Sequence, residues 1–465
     1  MTWNKEPGSF RDPSGFVFSQ DGVLYRQVNL PFAHYYRQLI DSGLHAELVR
    51  DGLIVAHEEV PLRLTGAPPA HAVIRPVRIP FISYPYEWCF SQLKAAALLT
   101  LEIQRRALEH DLMLRDASAY NIQFHDGRPI FIDTLSFGPH TADRPWPAYR
   151  QFCQHFLGPL ALMALVDPSM GQLSRIHLDG IPLALTSRLL PLTSRLRPGL
   201  LVHAYLHGRQ SIAGEQQHSG APSAPPRSTM GKTAMLGLVD SLRRTVQGLA
   251  WTPGRTLWST YTGHSNYTVA AQEQKQRLVA DLLDVVSAQS PIRTVWDLGA
   301  NTGAYSEIAA KRAGLVVSFD MDHASVEHHV QACSARGERK ILPLIQDLAN
   351  PSPATGWNNE ERRSLEQRGP ADVALALALV HHLVIGNNVP LDRVADFFRR
   401  VCRHLIIEFI PKEDSQVTRM LALREDVFTD YSQAQFEEAF AHTFDVLRVI
   451  AIEGTLRTIY LMQRR

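Results

Sequence analysis

The chain has 465 residues, which is enough for two or three domains. Apolar residues make up 45% and charged residues 20% of it, as in an ordinary globular protein. The formal net charge of +1 gives no overall electrostatic signal for nucleic acid or for an anionic membrane, so neither partner is indicated.

The N-terminal segment MTWNKEPGSFRDPSG is polar and has no apolar signal-peptide core. The longest apolar run, VALALALVHHLVI at residues 373–385, is well short of the roughly 20 residues of a membrane span. The four cysteines stand outside any C-x-x-C pair, which indicates neither a zinc site nor a redox motif. We therefore expect a cytoplasmic protein with no membrane contact and no resident metal.

The N-terminal half combines strand-like and helical patterns. Residues 15–79 are mostly strand-like, and Asp21-Gly22 inside GFVFSQDGVLYRQV predicts a two-residue hairpin turn. From Ser91 to Leu112 the apolar residues recur at helical spacing. These patterns predict an α+β domain over residues 1–210.

One stretch of this half has the spacing of a catalytic loop. In LRDASAYNIQFHDGRPIFIDTLSF, Asp116 and Asn121 stand five positions apart and Asp133 follows twelve later. The pattern resembles the catalytic loop and metal-binding aspartate of kinase-like and aminoglycoside-phosphotransferase-like folds. The resemblance implies that Asp116 accepts a hydroxyl proton while Asn121 and Asp133 hold magnesium. The β-rich segment, SYPYEW as a candidate hinge and the helix from Ser91 follow in the expected order.

The same half departs from the kinase-like pattern in three places. No lysine occurs between Glu6 and Leu93, so Arg26 is the candidate replacement for the phosphate-pairing lysine, with Glu47 as its conceivable partner. No glycine-rich loop is evident, and Leu114 stands where the motif has histidine. An active kinase, a kinase-like fold used only for binding, and an unrelated domain all stay open.

A polar segment divides the chain. Residues 211–232, SIAGEQQHSGAPSAPPRSTMGK, are rich in Ser, Pro, Gly and Gln and predict a flexible linker. Residues 233–290 predict a helical lid or connector that includes the amphipathic YTVAAQEQKQRLVADLLDVVSAQ. Trp258, Tyr261 and Tyr267 are candidate cofactor or substrate contacts, although core packing is the preferred explanation for them.

Strand-like and helical segments alternate over residues 291–465. The strand candidates are RTVWDLG, LVVSFD, KILPLIQD, ADVALALALV and HLIIEFI, followed by a terminal pair with a turn at Glu453-Gly454. Near-continuous apolar strands favour a parallel sheet covered on both faces.

The first of these strands ends in the loop DLGANTGAYS. A dinucleotide fingerprint would read G-x-G-x-x-G, and in that register two of the three glycines are missing. An acid and small residues instead alternate at Asp297, Gly299, Asn301 and Gly303, which resembles motif I of class I S-adenosylmethionine-dependent methyltransferases. Glycine allows close backbone approach, and asparagine tolerates left-handed backbone. The resemblance implies a Rossmann-like α/β sheet of seven strands, mostly parallel with an antiparallel terminal strand, and S-adenosylmethionine as cofactor.

Further acids follow the next two strands. Asp320 ends the second strand, where a carboxylate can accept hydrogen bonds from both ribose hydroxyls, and Asp322 is the second candidate for that role. Asp347 follows the third strand, and the resemblance implies that it accepts from the adenine amine. Each acid taken singly could be a helix N-cap. Together they fall at the edge where open α/β sheets bind ligands.

Two histidines end the fourth strand. His381 and His382 in ADVALALALVHHL resemble the end of the methyltransferase strand that lies beside the transferred methyl group. One imidazole could orient an acceptor or take its proton. The alternative is that one packs in the core and the other caps the next helix.

The acceptor is constrained mainly by missing motifs. No N/D-P-P-Y/F motif follows the fourth strand, which argues against base amines and glutamine amides, and no cysteine stands there for cytosine. We therefore predict methyl transfer to an O or N atom of a small-molecule or peptide acceptor, selected by the N-terminal domain. The alternatives are a bifunctional kinase-like methyltransferase and a non-catalytic S-adenosylmethionine-binding protein.

Overall fold

The computed structural model describes residues 3–62, 69–142, 144–206, 230–254, 268–422 and 425–465. Two compact units make up the chain. Unit 1 comprises Met1–Thr252 and Gly356–Arg362, and unit 2 comprises Pro253–Thr355 and Arg363–Arg465. Most of the predicted linker, at residues 211–229, and the predicted contacts Trp258, Tyr261 and Tyr267 lie outside the described residues.

Unit 1 begins with a five-stranded antiparallel sheet in the order β1-β2-β3-β5-β4. Its elements are β1 Trp3–Lys5, β2 Gly15–Gln20, β3 Val23–Asn29, α1 Ala33–Asp41, α2 Leu44–Arg50, β4 His57–Val60 and β5 Ala70–Pro76. The predicted turn at Asp21-Gly22 joins β2 to β3, and both residues have positive φ as that hairpin turn requires.

The rest of unit 1 is mainly helical. Its elements are α3 Phe90–Glu109, β6 Leu112–Leu114, β7 Ile122–His125, β8 Arg128–Phe131, β9 Phe137–Pro139, α4 Tyr149–Phe152, α5 Gly158–Leu165, α6 Leu173–Ile176, α7 Leu183–Leu189, α8 Pro198–Leu200 and α9 Lys232–Gln247. A π-helix, Cys153–Leu157, continues α4 into α5. Strand β6 pairs with β9, and β7 pairs with β8, each antiparallel.

Helix α9 belongs to unit 1. The Lys94 ammonium on α3 donates to the carbonyls of Gln247 and Leu249, at 2.9 and 2.7 Å, and Arg243 on α9 pairs with Glu102 on α3. The predicted connector 233–290 is thus divided: its first helix packs on α3, and its last helix, described next, belongs to unit 2.

Unit 2 is built on a seven-stranded sheet in the order β12-β11-β10-β13-β14-β16-β15. Its elements are α10 Val269–Gln289, β10 Ile292–Leu298, α11 Ala304–Ala310, β11 Ala313–Asp320, α12 His323–Arg336, β12 Ile341–Ile345, α13 Leu365–Arg368, β13 Ala371–Ala376, α14 Leu391–Val401, β14 Cys402–Phe409, α15 Ser415–Leu421, α16 Gln433–Ala441, β15 Phe444–Ala451 and β16 Thr458–Arg464.

The predicted α/β sheet is confirmed. Strands β10 to β14 run parallel, and the terminal strand β16 runs antiparallel to both of its neighbours. Val295, Val316, Val373 and Ile406, one from each of four neighbouring strands, are fully buried, as expected for a sheet covered on both faces. Within the described ranges, no helix is both long enough and apolar enough to cross a bilayer.

Gly303 begins helix α11 in a conformation that few other residues could adopt. Its φ is +88°, and a Cβ built on it would lie 2.0 Å from Nε2 of His329, which is buried on α12. Two independent physical effects therefore require glycine: left-handed backbone and close packing of two helices.

We predict that Gly303→Ala lowers the free energy of unfolding by more than Gly337→Ala. Gly337 also has positive φ, at +65°, but a Cβ there would meet no atom within 4 Å. Gly337→Ala, the control, should lower the free energy of unfolding by about 1 kcal/mol, through the backbone alone. Gly303→Ala should lower it by roughly 1–3 kcal/mol more. Urea unfolding of both variants measures the difference, and equal losses would show that contact with His329 does not matter.

Candidate functional site

A cavity of about 470 Å³ opens at the carboxyl edge of the unit 2 sheet. Its lining comes from the ends of β10 to β13 together with α10, α11 and α15. The predicted site residues in that lining are Asp297, Gly299, Asn301, Asp320, Asp347 and His382. Two other predicted residues, Gly303 and His381, are described but lie outside the lining.

The glycine loop is fastened to the end of β11 by backbone hydrogen bonds. The amides of Gly299 and Ala300 both donate to the carbonyl of Phe319, at 2.9 Å each. Gly299 has φ +78°, and a Cβ there would come within 3.3 Å of Leu379. Asn301 adopts left-handed backbone with φ +50°, as the sequence predicts for asparagine.

Asp297 lies beneath this loop. Its carboxylate is buried and accepts a 2.6 Å hydrogen bond from the Ser306 hydroxyl on α11. Burial raises the pKa of Asp297 to about 6, with the nearby Asp320 carboxylate contributing in the same direction. Asp297 therefore orders the start of α11 while remaining part of the cavity wall.

Asp320 and Asp322 differ in what their carboxylates contact. Asp320 lines the cavity and accepts from the backbone amides of Asn301, at 2.7 Å, and Asp322, at 2.9 Å. Withdrawal from water raises the pKa of Asp320 to about 6. Asp322 instead caps α12, accepting from the Ala324 amide at 2.9 Å and the Ser325 hydroxyl at 3.0 Å. Only Asp320 faces the cavity.

Asp347 lies at the far end of the same edge, after β12. One carboxylate oxygen accepts from the amide of Ala349 at 2.8 Å, which holds the local turn. Gln346 beside it is tied to β11, because its amide donates to the Asp320 carbonyl at 2.8 Å. The acids near the ends of β10 and β11 and just after β12 thus line one cavity.

The two histidines have different surroundings. His381 is fully buried, and neither ring nitrogen has a hydrogen-bond partner within the described structure. His382 begins the π-helix His382–Gly386 and lines the cavity, with its ring 4.0 Å from that of His381. Burial lowers the pKa of His382 to about 4, so its imidazole is neutral at pH 7. His381 packs in the core, and of the two histidines only His382 lines the cavity.

A buried ion pair behind the cavity was not predicted from the sequence. The ammonium of Lys275, on α10, lines the cavity and donates to Glu408 Oε2, at the end of β14, at 2.7 Å. The same oxygen accepts from the backbone amide of Ala378 at 2.7 Å. Ala378 has φ +51°, a strained conformation of the kind that clusters at functional sites. Burial lowers the pKa of Lys275, and the Glu408 carboxylate opposes that shift.

In unit 1 the three kinase-like residues lie in one polar cluster. Asp133 Oδ2 accepts from the Ser136 hydroxyl at 2.6 Å, and Asn121 donates to that hydroxyl at 3.4 Å. Burial raises the pKa of Asp116, with the Asp133 carboxylate contributing in the same direction. The spacing in the sequence therefore does bring these side chains together.

Arg26 joins this cluster, but not with its predicted partner. Its guanidinium contacts Asp133 through one nitrogen and Asp12, at 2.9 Å, through another. Glu47 pairs instead with Arg106, at 3.0 Å, and with His110, at 2.9 Å. The prediction of an Arg26–Glu47 pair is wrong, because Glu47 on α2 has its partners on and just after α3.

Comparisons with known proteins give a relative and a set of structural neighbours. No protein-family model matches the chain. Magnesium protoporphyrin IX methyltransferase (ChlM) from Synechocystis PCC 6803, solved with bound SAH, aligns with 44% of this chain and 93% of its own, at 17% identity and a TM-score of 0.32. The N-methyltransferase NodS from Bradyrhizobium japonicum WM9, solved with S-adenosyl-L-homocysteine, aligns with 45% and 99%, at 8% identity and a TM-score of 0.32.

The sequence relation is much more extensive. The chain is 35% identical over 466 aligned positions to the nodulation protein NoeA of Rhizobium meliloti (strain 1021), and the alignment covers 98% of this chain and 95% of that protein. This relation spans both units of the structure. The chain therefore belongs to the family of the nodulation protein NoeA.

Proposed function

We propose that unit 2 binds S-adenosylmethionine and transfers its methyl group to an acceptor. The observation that carries this proposal is the cavity at the carboxyl edge of the sheet, which is lined by Asp297, Asp320 and Asp347 from the ends of three strands. Open α/β sheets bind ligands at this edge. The glycine loop after β10 also favours a ligand that needs close backbone approach and has no pyrophosphate.

The residues of the cavity fit this cofactor chemically. Lys275 is paired with Glu408, so the three aspartates of the lining leave the cavity with a net negative charge. S-adenosylmethionine carries a sulfonium and an ammonium cation, which such a lining stabilises. When bound, the cofactor supplies an electrophilic methyl group.

Each polar residue of the lining has a role that follows from its position. Asp320 would accept the ribose hydroxyls, since its carboxylate faces the cavity and is oriented by two backbone amides. Asp347 would accept a hydrogen bond from the exocyclic amine of adenine. Gly299 and Asn301 would present the loop backbone to the methionine part, while Asp297 holds the loop through Ser306.

Asp320 and Asp322 provide a matched pair for testing this assignment. Asp320→Ala should weaken S-adenosylmethionine binding by about 10- to 100-fold, because charge-assisted hydrogen bonds contribute roughly 1.5–3 kcal/mol. Asp322→Ala should lower stability by about 1 kcal/mol through loss of the α12 cap and leave affinity nearly unchanged. Isothermal titration calorimetry measures the affinity of both variants for S-adenosylmethionine, and equal losses of affinity would refute the assignment of Asp320 to the ribose.

Cofactor affinity should depend on pH. Asp297 and Asp320 have pKa values raised to about 6, so both carboxyls lose their protons as the pH rises through 6. A cationic ligand favours the ionised forms, and we expect affinity for S-adenosylmethionine to rise from pH 5 to pH 7, by up to about tenfold per pH unit for one group. Asp320→Asn should make this dependence shallower. Affinity that is constant across the range would contradict the assignment.

For unit 1 we propose acceptor selection without phosphoryl transfer. Magnesium is held by oxygen atoms, which Asp116, Asn121 and Asp133 can offer. Both oxygens of Asp133 are already engaged, however, one by Arg26 and the Leu135 amide and the other by Ser136. As arranged, these side chains do not fit a magnesium ion. The polar cluster formed by Asp116, Asn121 and Asp133 supports a binding role for unit 1.

We predict that the full chain shows no magnesium-dependent ATP turnover above background, because the Arg26 guanidinium already neutralises Asp133. The measurement is release of phosphate from ATP with and without magnesium, in the wild type and in Asp133→Ala. Turnover that is present in the wild type and lost in Asp133→Ala would establish the bifunctional alternative.

A further inference from the structure

The two sides of the unit 2 cavity differ in chemical character. The side formed by β10 to β12 carries the three aspartates. The side formed after β13 carries Leu377, Leu379, Leu383 and His382, and Met420 of α15 adds to it. Apart from His382 and Asn387, whose side-chain amide donates to the His382 carbonyl at 2.9 Å, the side chains on this second side are apolar. An acceptor group on this side would therefore meet mainly apolar surface, one imidazole and one amide.

The described part of the lining offers no free cation to bind an anionic acceptor. Among the described residues of the cavity wall, Lys275 is the one lysine or arginine. Its ammonium lies 2.7 Å from Glu408 Oε2, and the two side chains are 4% and 0% exposed. Removing a buried cation from its partner is strongly unfavourable. A carboxylate or phosphate acceptor would thus enter a cavity whose described side chains carry a net negative charge and offer it no cationic partner.

An aliphatic amine is disfavoured for a different reason. It would enter as an ammonium ion, and the nearby carboxylates would keep it protonated and unable to attack. A hydroxyl is uncharged and needs to lose one proton during the transfer. The His382 imidazole is neutral at pH 7 and can accept that proton. The titratable groups facing it are His381 beside it and, across the cavity, Lys275, Asp297, Tyr305, Asp320 and Asp347.

We propose that the methyl acceptor is an uncharged hydroxyl group on a molecule with an apolar flank, and that His382 is the base that takes its proton. This inference rests on the proposed function of unit 2. In the step, the hydroxyl oxygen forms a bond to the methyl carbon, and the carbon–sulfur bond breaks with its electron pair left on sulfur. The hydroxyl proton passes to the imidazole, which later returns it to water. The products are a methyl ether and S-adenosylhomocysteine.

The chemistry of the methylated product tests this without knowledge of its identity. The full chain is incubated with S-adenosylmethionine carrying a tritiated methyl group and with extract of cells that lack the protein. We expect label that survives mild alkali and is released as methyl iodide by hydriodic acid, as for a methyl ether. Release by alkali would indicate an ester, and resistance to both reagents an N- or C-methyl product. Either result overturns the hydroxyl assignment and leaves methyl transfer standing.

Absence of label with folded protein would remove the proposed function and this inference together. The role of His382 is tested with His382→Gln, which should lower the initial rate of label incorporation by about 10²- to 10⁴-fold. The matched control is His328→Gln, at an exposed imidazole on α12, which should leave the rate unchanged. Cofactor affinity of His382→Gln, measured by calorimetry, should stay within threefold of the wild type. An unchanged rate in His382→Gln overturns its role as the base.

A second readout does not depend on turnover. Histidine ring protons followed by NMR from pH 4 to pH 8, with His382→Gln to assign the resonance, report the charge state of His382 directly. We expect the resonance to show no titration above about pH 5. A transition near pH 8 would mean that the imidazole is protonated at pH 7 and cannot accept the hydroxyl proton, and would overturn its role as the base.

Discussion

The hydrogen bond from the Asn301 amide to the Asp320 carboxylate, 2.7 Å long, is the contact on which the unit 2 site depends. It joins the loop after β10 to the end of β11 and orients the carboxylate at the edge of the sheet. Gly299 and Asn301 both have left-handed backbone in this loop, which is a conformation that glycine and asparagine adopt more readily than other residues. The loop after β10 and the Asp320 carboxylate are therefore positioned by the same hydrogen bond.

A second constraint lies behind the cavity. Glu408 accepts from Lys275 and from the amide of Ala378, and Arg457 lies 3.7 Å from its other oxygen. Arg457 in turn binds Asp414 at 2.8 Å. Buried charges are tolerated when they are paired and hydrogen-bonded, and this network meets that requirement. It also supports the strained backbone of Ala378, so the wall after β13 is held by electrostatics as well as by packing.

Most of the fold of unit 2 could be predicted from the sequence because its strands are apolar and regularly spaced. Asp320 and Asp347 could be placed at one edge because the carboxyl ends of parallel strands meet there. The pairing of Lys275 with Glu408 could not be predicted, since the two residues are 133 positions apart and no local pattern links them. Nor could the sequence separate His381 from His382, because the π-helix that begins at His382 decides which ring faces the cavity.

Unit 1 illustrates a different limit. The loop spacing placed Asp116, Asn121 and Asp133 in one cluster, but the partner of Arg26 depends on how α2 packs against α3, which periodicity does not reveal. The inclusion of Gly356–Arg362 in unit 1 could not be predicted either, although Glu361 there accepts three hydrogen bonds, of 2.7, 2.9 and 3.0 Å, from the Arg11 guanidinium. Long-range ion pairs of this kind leave no signature in a single sequence.

The measurement that tests the account most directly is equilibrium binding of S-adenosylmethionine to the full chain, with S-adenosylhomocysteine and NAD⁺ as competitors. We expect one site per chain, displacement by S-adenosylhomocysteine and no displacement by NAD⁺. This result would identify the loop after β10 as the cofactor loop of a methyltransferase. Absence of binding, or displacement by NAD⁺ at comparable concentration, would contradict the central claim.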